Sequence, residues 1–127
     1  MSNTQREVAV RFATALNTRD VQTLREICTA DVSWTIPGTS AVSGRHEGIA
    51  GLVGVEAALS PYEVRPQLEL LLHGPDSVVA LVHDTGDHRG RRLDIRVALH
   101  VQLRQGKVAA LVTHMSDVQA FDEYLAP

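Results

Sequence analysis

Between Leu93 and Leu103 the chain alternates without a break. Leu93, Ile95, Val97, Leu99, Val101 and Leu103 fall on one side; Asp94, Arg96, Ala98, His100 and Gln102 fall on the other. Period two marks a strand lying between two different environments. Gln105-Gly106 reads as a tight turn, and 108–115 is predicted to return as the antiparallel partner. His100 and His114 then sit on adjacent strands. Two further strands are predicted at 64–72 and 78–87, with His73-Gly74-Pro75-Asp76 turning between them.

The first half reads differently. Thr4 and Glu7 have capping-box spacing, and Val8, Phe12, Ala15 and Leu16 form one apolar stripe, so a helix is predicted from Thr4 to about Asn17. Asp20 caps a short second helix carrying Leu24, Ile27 and Cys28. Residues 31–36 read as a strand with Val32, Trp34 and Ile36 on one face, stopped by Pro37-Gly38. A loop follows, then a third helix over 47–59. Gly48, Gly51 and Gly54 each weaken that helix by about 1 kcal/mol relative to alanine. Two readings stay open for these glycines: a close approach of a ligand or strand, or a merely loose helix. Residues 118–125 form a short helical or irregular tail. Helices first and strands last predict an α+β fold, a curved, cone-shaped antiparallel sheet with three helices over its concave face.

At 127 residues the chain is expected to form a single domain, 1–127. Hydrophobic residues make up 44% and charged residues 21%, an ordinary globular balance. The formal charge of -3 and the lack of a basic stripe argue against nucleic acid. The polar N-terminus predicts no signal peptide. No apolar run approaches the roughly 20 residues of a membrane span. The lone Cys28 fits a reducing cytoplasm and a core position. Six histidines raise the question of metal, but there is no H-E-x-x-H, no paired cysteine and no helical i, i+4 histidine pair. No metal or other cofactor is therefore expected.

Several segments carry a family resemblance: F-A-T-A-L-N-T-R-D, A-D-V-S-W-T-I-P-G, S-G-R-H-E-G, the strand pair from G-R-R-L-D to H-V-Q-L-R-Q-G-K-V, and the closing S-D-V-Q-A-F-D-E-Y-L. Over nearly its whole length the chain resembles SnoaL-like proteins of the nuclear transport factor 2-like superfamily. That superfamily includes polyketide cyclases, ketosteroid isomerase, limonene epoxide hydrolase, scytalone dehydratase and non-catalytic proteins, so fold alone does not supply the chemistry. Where ketosteroid isomerase carries its tyrosine and first acid, this chain has Phe12 and Ile36, and its second acid falls at or beside Leu99. Where limonene epoxide hydrolase carries an arginine between two aspartates, it has only Asp84 and, for the second acid, Thr113 or His114. The polyketide cyclases match best: their long-strand histidine corresponds to His100, and their aspartate fourteen residues later corresponds to His114.

The resemblance and the strand pattern together nominate His100 and His114 as acid-base residues, with Asp117 as a rim acid orienting His114 or substrate. Asp117 also reads as a helix N-cap. Imidazoles titrate near ~6.5 and suit proton transfer near neutrality. Trp34 reads as core or as the wall of an aromatic-ligand pocket, and Phe12, Leu111 and Met115 as pocket or core walls. His46, in a loop beside the cavity mouth, and His83, on a face with Val79 and Leu81, are further candidate substrate contacts. Which face of the 93–103 strand lines the cavity stays open: the isomerase comparison favours the apolar face, the cyclase comparison the His100 face. The expected function is a small cofactor-free enzyme performing cyclisation, isomerisation or dehydration on an apolar polyketide- or terpenoid-like intermediate. The alternative is a non-catalytic ligand-binding or dimeric scaffold protein, with His100, Arg96 and Asp94 at the subunit interface. The strand's two good faces predict a homodimer.

Overall fold

The computed structural model describes residues 2–127, with side chains from Gln5 onward. The elements are α1 (Ser2–Asn17), α2 (Val21–Ile27), β1 (Cys28–Ile36), β2 (Gly44–Glu47), α3 (Gly48–Leu59), a 3-10 turn (Ser60–Tyr62), β3 (Arg65–His73), β4 (Ser77–His88), β5 (Arg91–Arg104), β6 (Lys107–Met115) and α4 (Val118–Leu125). Helix α1 starts two residues before Thr4; the Thr4 side chain of the expected capping box lies outside the described residues. Phe12, Ala15 and Leu16 bury the predicted stripe. Asp20 caps α2 as expected, accepting from the Thr23 amide at 3.2 Å and its hydroxyl at 2.7 Å.

All six strands form one curved open sheet in the order β2-β1-β6-β5-β4-β3, with the helices packed on one face. Two features depart from the expected antiparallel sheet. The β1–β6 pair is parallel, with Trp34 beside Leu111. Strand orientation across such a pair is set by the route of the intervening chain, which local alternation does not record. The second departure is β2, where a loop was expected. Gly44–Glu47 has no apolar alternation and pairs antiparallel with β1, Trp34 opposite His46. Its only stake in the sheet is backbone hydrogen bonding at an edge, so side-chain pattern could not announce it.

Cys28 also moves. It opens β1 rather than continuing α2, and its amide donates to the Leu24 carbonyl to close that helix. It is buried, and burial pushes its thiol pKa up to about 11, as suits a core residue rather than a nucleophile. The three glycines of α3 separate into different roles. A Cβ at Gly51 would lie 3.1 Å from the His46 carbonyl carbon, so β2 does approach the helix closely there; at Gly54 the space is open.

Two-residue turns join β4 to β5 and β5 to β6. Arg89 and Gly90 have φ of 52° and 76°; Gln105 and Gly106 have 54° and 78°. Positive φ at both central residues is the hairpin geometry that follows the sheet twist. At the far end of the chain α4 folds back over the sheet, capped by the Asp117 carboxylate on the Ala120 amide at 2.9 Å. Phe121, Tyr124 and Leu125 are buried beneath it. The Tyr124 hydroxyl donates to the Tyr62 carbonyl at 2.6 Å, and the Asp122 carboxylate accepts from the Thr39 and Ser40 amides. The second half of the sheet is thereby tied to the loop after β1.

Candidate functional site

Register decides which side chains meet under the helices. The turn at Arg89-Gly90 pairs His88 with Arg91 and, further back, Asp84 with Ile95. Asp84 therefore shares the inner face with Ile95, Val97, Leu99 and Val101. The β5–β6 hairpin begins Arg104–Lys107 and Leu103–Val108, then shifts to Gln102–Ala110. One extra residue, Ala109, turns every later side chain of β6 to the other face. Thr113 then stands opposite Leu99 and Met115 opposite Val97, while His114 stands opposite Ala98.

Between this inner face and helices α1, α3 and α4 lies a cavity of about 630 Å³. Its walls are mostly apolar: Phe12, Trp34, Val82, Leu99, Met115 and Phe121 among them. Two half-buried carboxyls enter it, Asp84 from β4 and Glu56 from α3. Burial raises the Asp84 pKa to about 6, opposed weakly by the neighbouring His83. Burial also raises that of Glu56, with the Asp84 charge adding to the rise and Arg19 opposing it. A buried polar feature of the wall is a bond in which the Trp34 indole N–H donates to Thr113 Oγ1 at 2.8 Å.

A model of the SnoaL-like domain matches residues 9–111. The chain belongs to the SnoaL-like domain family. Among curated proteins none matches it. Among solved structures it is similar to Bal32a from a soil-derived mobile gene cassette, 25% identical over 98% of both chains with a TM-score of 0.86. TerC, co-crystallised with polyporic acid, is 20% identical over 96% of this chain and 98% of its own, TM-score 0.79. A protein of Jannaschia sp. CCS1, provisionally named a SnoaL-like polyketide cyclase, is 17% identical over 98% and 94%, TM-score 0.75.

Within this SnoaL-like cavity the expected walls Phe12, Trp34 and Met115 are all present. Leu111 is fully buried on the same sheet face but does not border the space. The titratable candidates lie elsewhere. His100 stands between Val79 and Val112 on the outer face, and His114 is exposed on that face, two rungs of the ladder away. The bulge brings them onto one side, and it is the side away from the cavity. His83 also points outward, its Nε2 2.6 Å from Asp94 Oδ1. Strand β4 is apolar on both faces from Val78 to Val82, so its parity was unreadable without the register; Asp84, not His83, is the inward residue. His46 is spent on the Val42 carbonyl, to which Nε2 donates at 2.7 Å. Asp117 is the exposed α4 cap. Among the described residues no group of three His, Cys, Asp or Glu side chains is placed to hold a metal ion. No helix among them is long and apolar enough to cross a membrane.

Proposed function

We propose that this SnoaL-like protein is an acid–base enzyme acting on an apolar, polyketide- or terpenoid-like intermediate in the helix-covered cavity. The reaction is a cyclisation, isomerisation or dehydration, and Asp84 is the group that moves the proton. The observation that carries the reading is Asp84 itself: a half-buried carboxyl in a cavity of about 630 Å³, its pKa raised to about 6. Such a group is largely ionised at neutrality and can abstract a proton. It also binds that proton more firmly than an ordinary carboxylate, so it can return it to another atom. Apolar walls with few polar groups suit a hydrophobic ligand. The Jannaschia protein's provisional name agrees with this class of substrate.

The test is proton exchange at carbon. Polycyclic ketones, from 2-tetralone to three- and four-ring analogues, are incubated with the protein in deuterated buffer. Exchange beside the carbonyl is expected to accelerate as pH rises through about 6, where Asp84 ionises. Asp84→Asn is expected to lose at least about a hundredfold, while His100→Gln and His114→Gln exchange normally. Equal rates in Asp84→Asn and the wild type sink the assignment; no exchange with any ketone turns the reading to ligand binding without catalysis.

A homodimer and a cytoplasmic location form part of the same reading. The outer face of β3–β6 supports the first: Leu70 and Leu72 stand 51% and 46% exposed beside Val79, Leu81, Ala98 and Val112. Arg96 and Glu69, bonded at 3.0 Å, offer both signs of charge on that face for a two-fold contact. The single buried thiol supports the second.

A further inference from the structure

Among the described residues lining the cavity, two polar side chains are nearly fully buried: Trp34, 8% exposed, and Thr113, 7% exposed. They are bonded to each other at 2.8 Å. An indole nitrogen can only donate, whereas a threonine hydroxyl donates once and accepts twice. The direction of the bond is therefore forced: Trp34 donates and Thr113 accepts. The hydroxyl's own hydrogen is left over, and it makes no bond to an acceptor among the described residues. A buried donor without an acceptor is costly, and a ligand oxygen removes that cost.

We propose that Thr113, oriented by Trp34, is the hydrogen-bond donor that selects ligands carrying a carbonyl oxygen on an apolar frame. The proposal rests on the cavity being a ligand site. Its neighbours in the wall, Leu99, Val97 and Met115, offer no competing donor. Thr14, Asn17, Arg19 and Ser60 also border the cavity but are exposed to water, so they discriminate weakly. The Trp34 backbone is held on both sides, β1 being paired to β2 and to β6, and its buried ring is fixed by the bond to Thr113. Thr113 and Asp84 lie two strands and four residues apart, of the order of 15 Å along the sheet and less across its curve. One small ketone does not reach both. An elongated ligand with more than one oxygen does: one carbonyl docks on Thr113 while the carbon beside another meets Asp84.

Calorimetric titration with two probes of one shape isolates the donor: 2-acetylnaphthalene, with a carbonyl, and 2-isopropenylnaphthalene, with a methylene in its place. The wild type is expected to favour the ketone by about fivefold, the worth of one neutral hydrogen bond. Thr113→Val abolishes the preference and Thr113→Ser keeps it. Because Thr113→Val orphans the indole N–H and risks the fold, the double variant Trp34→Phe/Thr113→Val serves as a second donor-free form and shows no preference either. A wild type that binds both probes equally overturns the proposal and leaves the cavity a ligand site, as does a Thr113→Val variant that still prefers the ketone. Binding of neither probe overturns both.

Discussion

Asp84 carries a stability cost in its half-buried carboxyl. Its carboxyl is held protonated up to a pH of about 6 in the folded chain, against 3.8 for the unperturbed group. Between those values the folded state binds more protons than the unfolded one, so stability falls as pH rises. The cost is absent below about pH 4 and complete above about pH 6, where it amounts to roughly 2–3 kcal/mol. Asp84→Asn is therefore expected to be the more stable protein at pH 7.5 and to lose that advantage at pH 4. Urea denaturation at both values checks this, and an equal difference at the two sets aside the burial argument. The same substitution removes the proposed proton carrier, so stability and exchange activity should move in opposite directions. Burial marks Asp84, and burial was invisible in the linear text: His83 and Asp84 are adjacent, and only the turn at Arg89-Gly90 determines which of them faces in.

At the scale of elements, the contact of α4 with β4 leaves little room. A Cβ at Gly86 would lie 2.5 Å from the Tyr124 hydroxyl and 3.2 Å from the Glu63 carbonyl oxygen. The hydroxyl could swing away, but the backbone carbonyl and the Tyr124–Tyr62 bond resist. Gly86→Ala is expected to cost about 1–3 kcal/mol, in the range of overpacking. Tyr124→Phe, which deletes the bond alone, should cost about 1 kcal/mol. Denaturation midpoints rank the two, and a Gly86→Ala protein as stable as the wild type rules out the close contact. The helices and long strands were legible because each carries its own periodicity: the α1 stripe, the Asp20 cap and the 93–103 alternation all reappear. Strand β2 and the parallel β1–β6 pair were not. One has only backbone bonds to declare it, and the other depends on the path of some seventy intervening residues.

At the scale of the whole molecule, the sheet carries two different surfaces. The inner one lines a cavity; the outer one sets His100, His114 and the His83–Asp94 pair among exposed and half-buried aliphatic side chains. If that outer surface joins two copies, a charge at its centre should part them. Leu81→Arg is expected to sediment near 13.8 kDa at micromolar concentration, while the wild type sediments at twice that mass. A monomeric wild type removes the dimer from the proposal. A dimeric wild type gives the histidines a place without catalysis, at an interface rather than in a site. The residue pattern named the strand pair and left open which of its sides faces the cavity.

The sequence alone determined the elements with strong period, their caps and turns, the α+β class and the SnoaL-like resemblance, because these follow from neighbours a few residues apart. It also marked Phe12 and Trp34 as core or wall, since each lies on the apolar stripe of its own element; Met115 enters the cavity only through the shift at Ala109. Tertiary structure decided which polar groups join them. One extra residue at Ala109 sends Thr113 into the cavity and His114 out of it, and one two-residue turn sends Asp84 in and His83 out. Side chains alternate along a strand, so a shift of one residue exchanges its two faces. Nothing local to those residues records the shift.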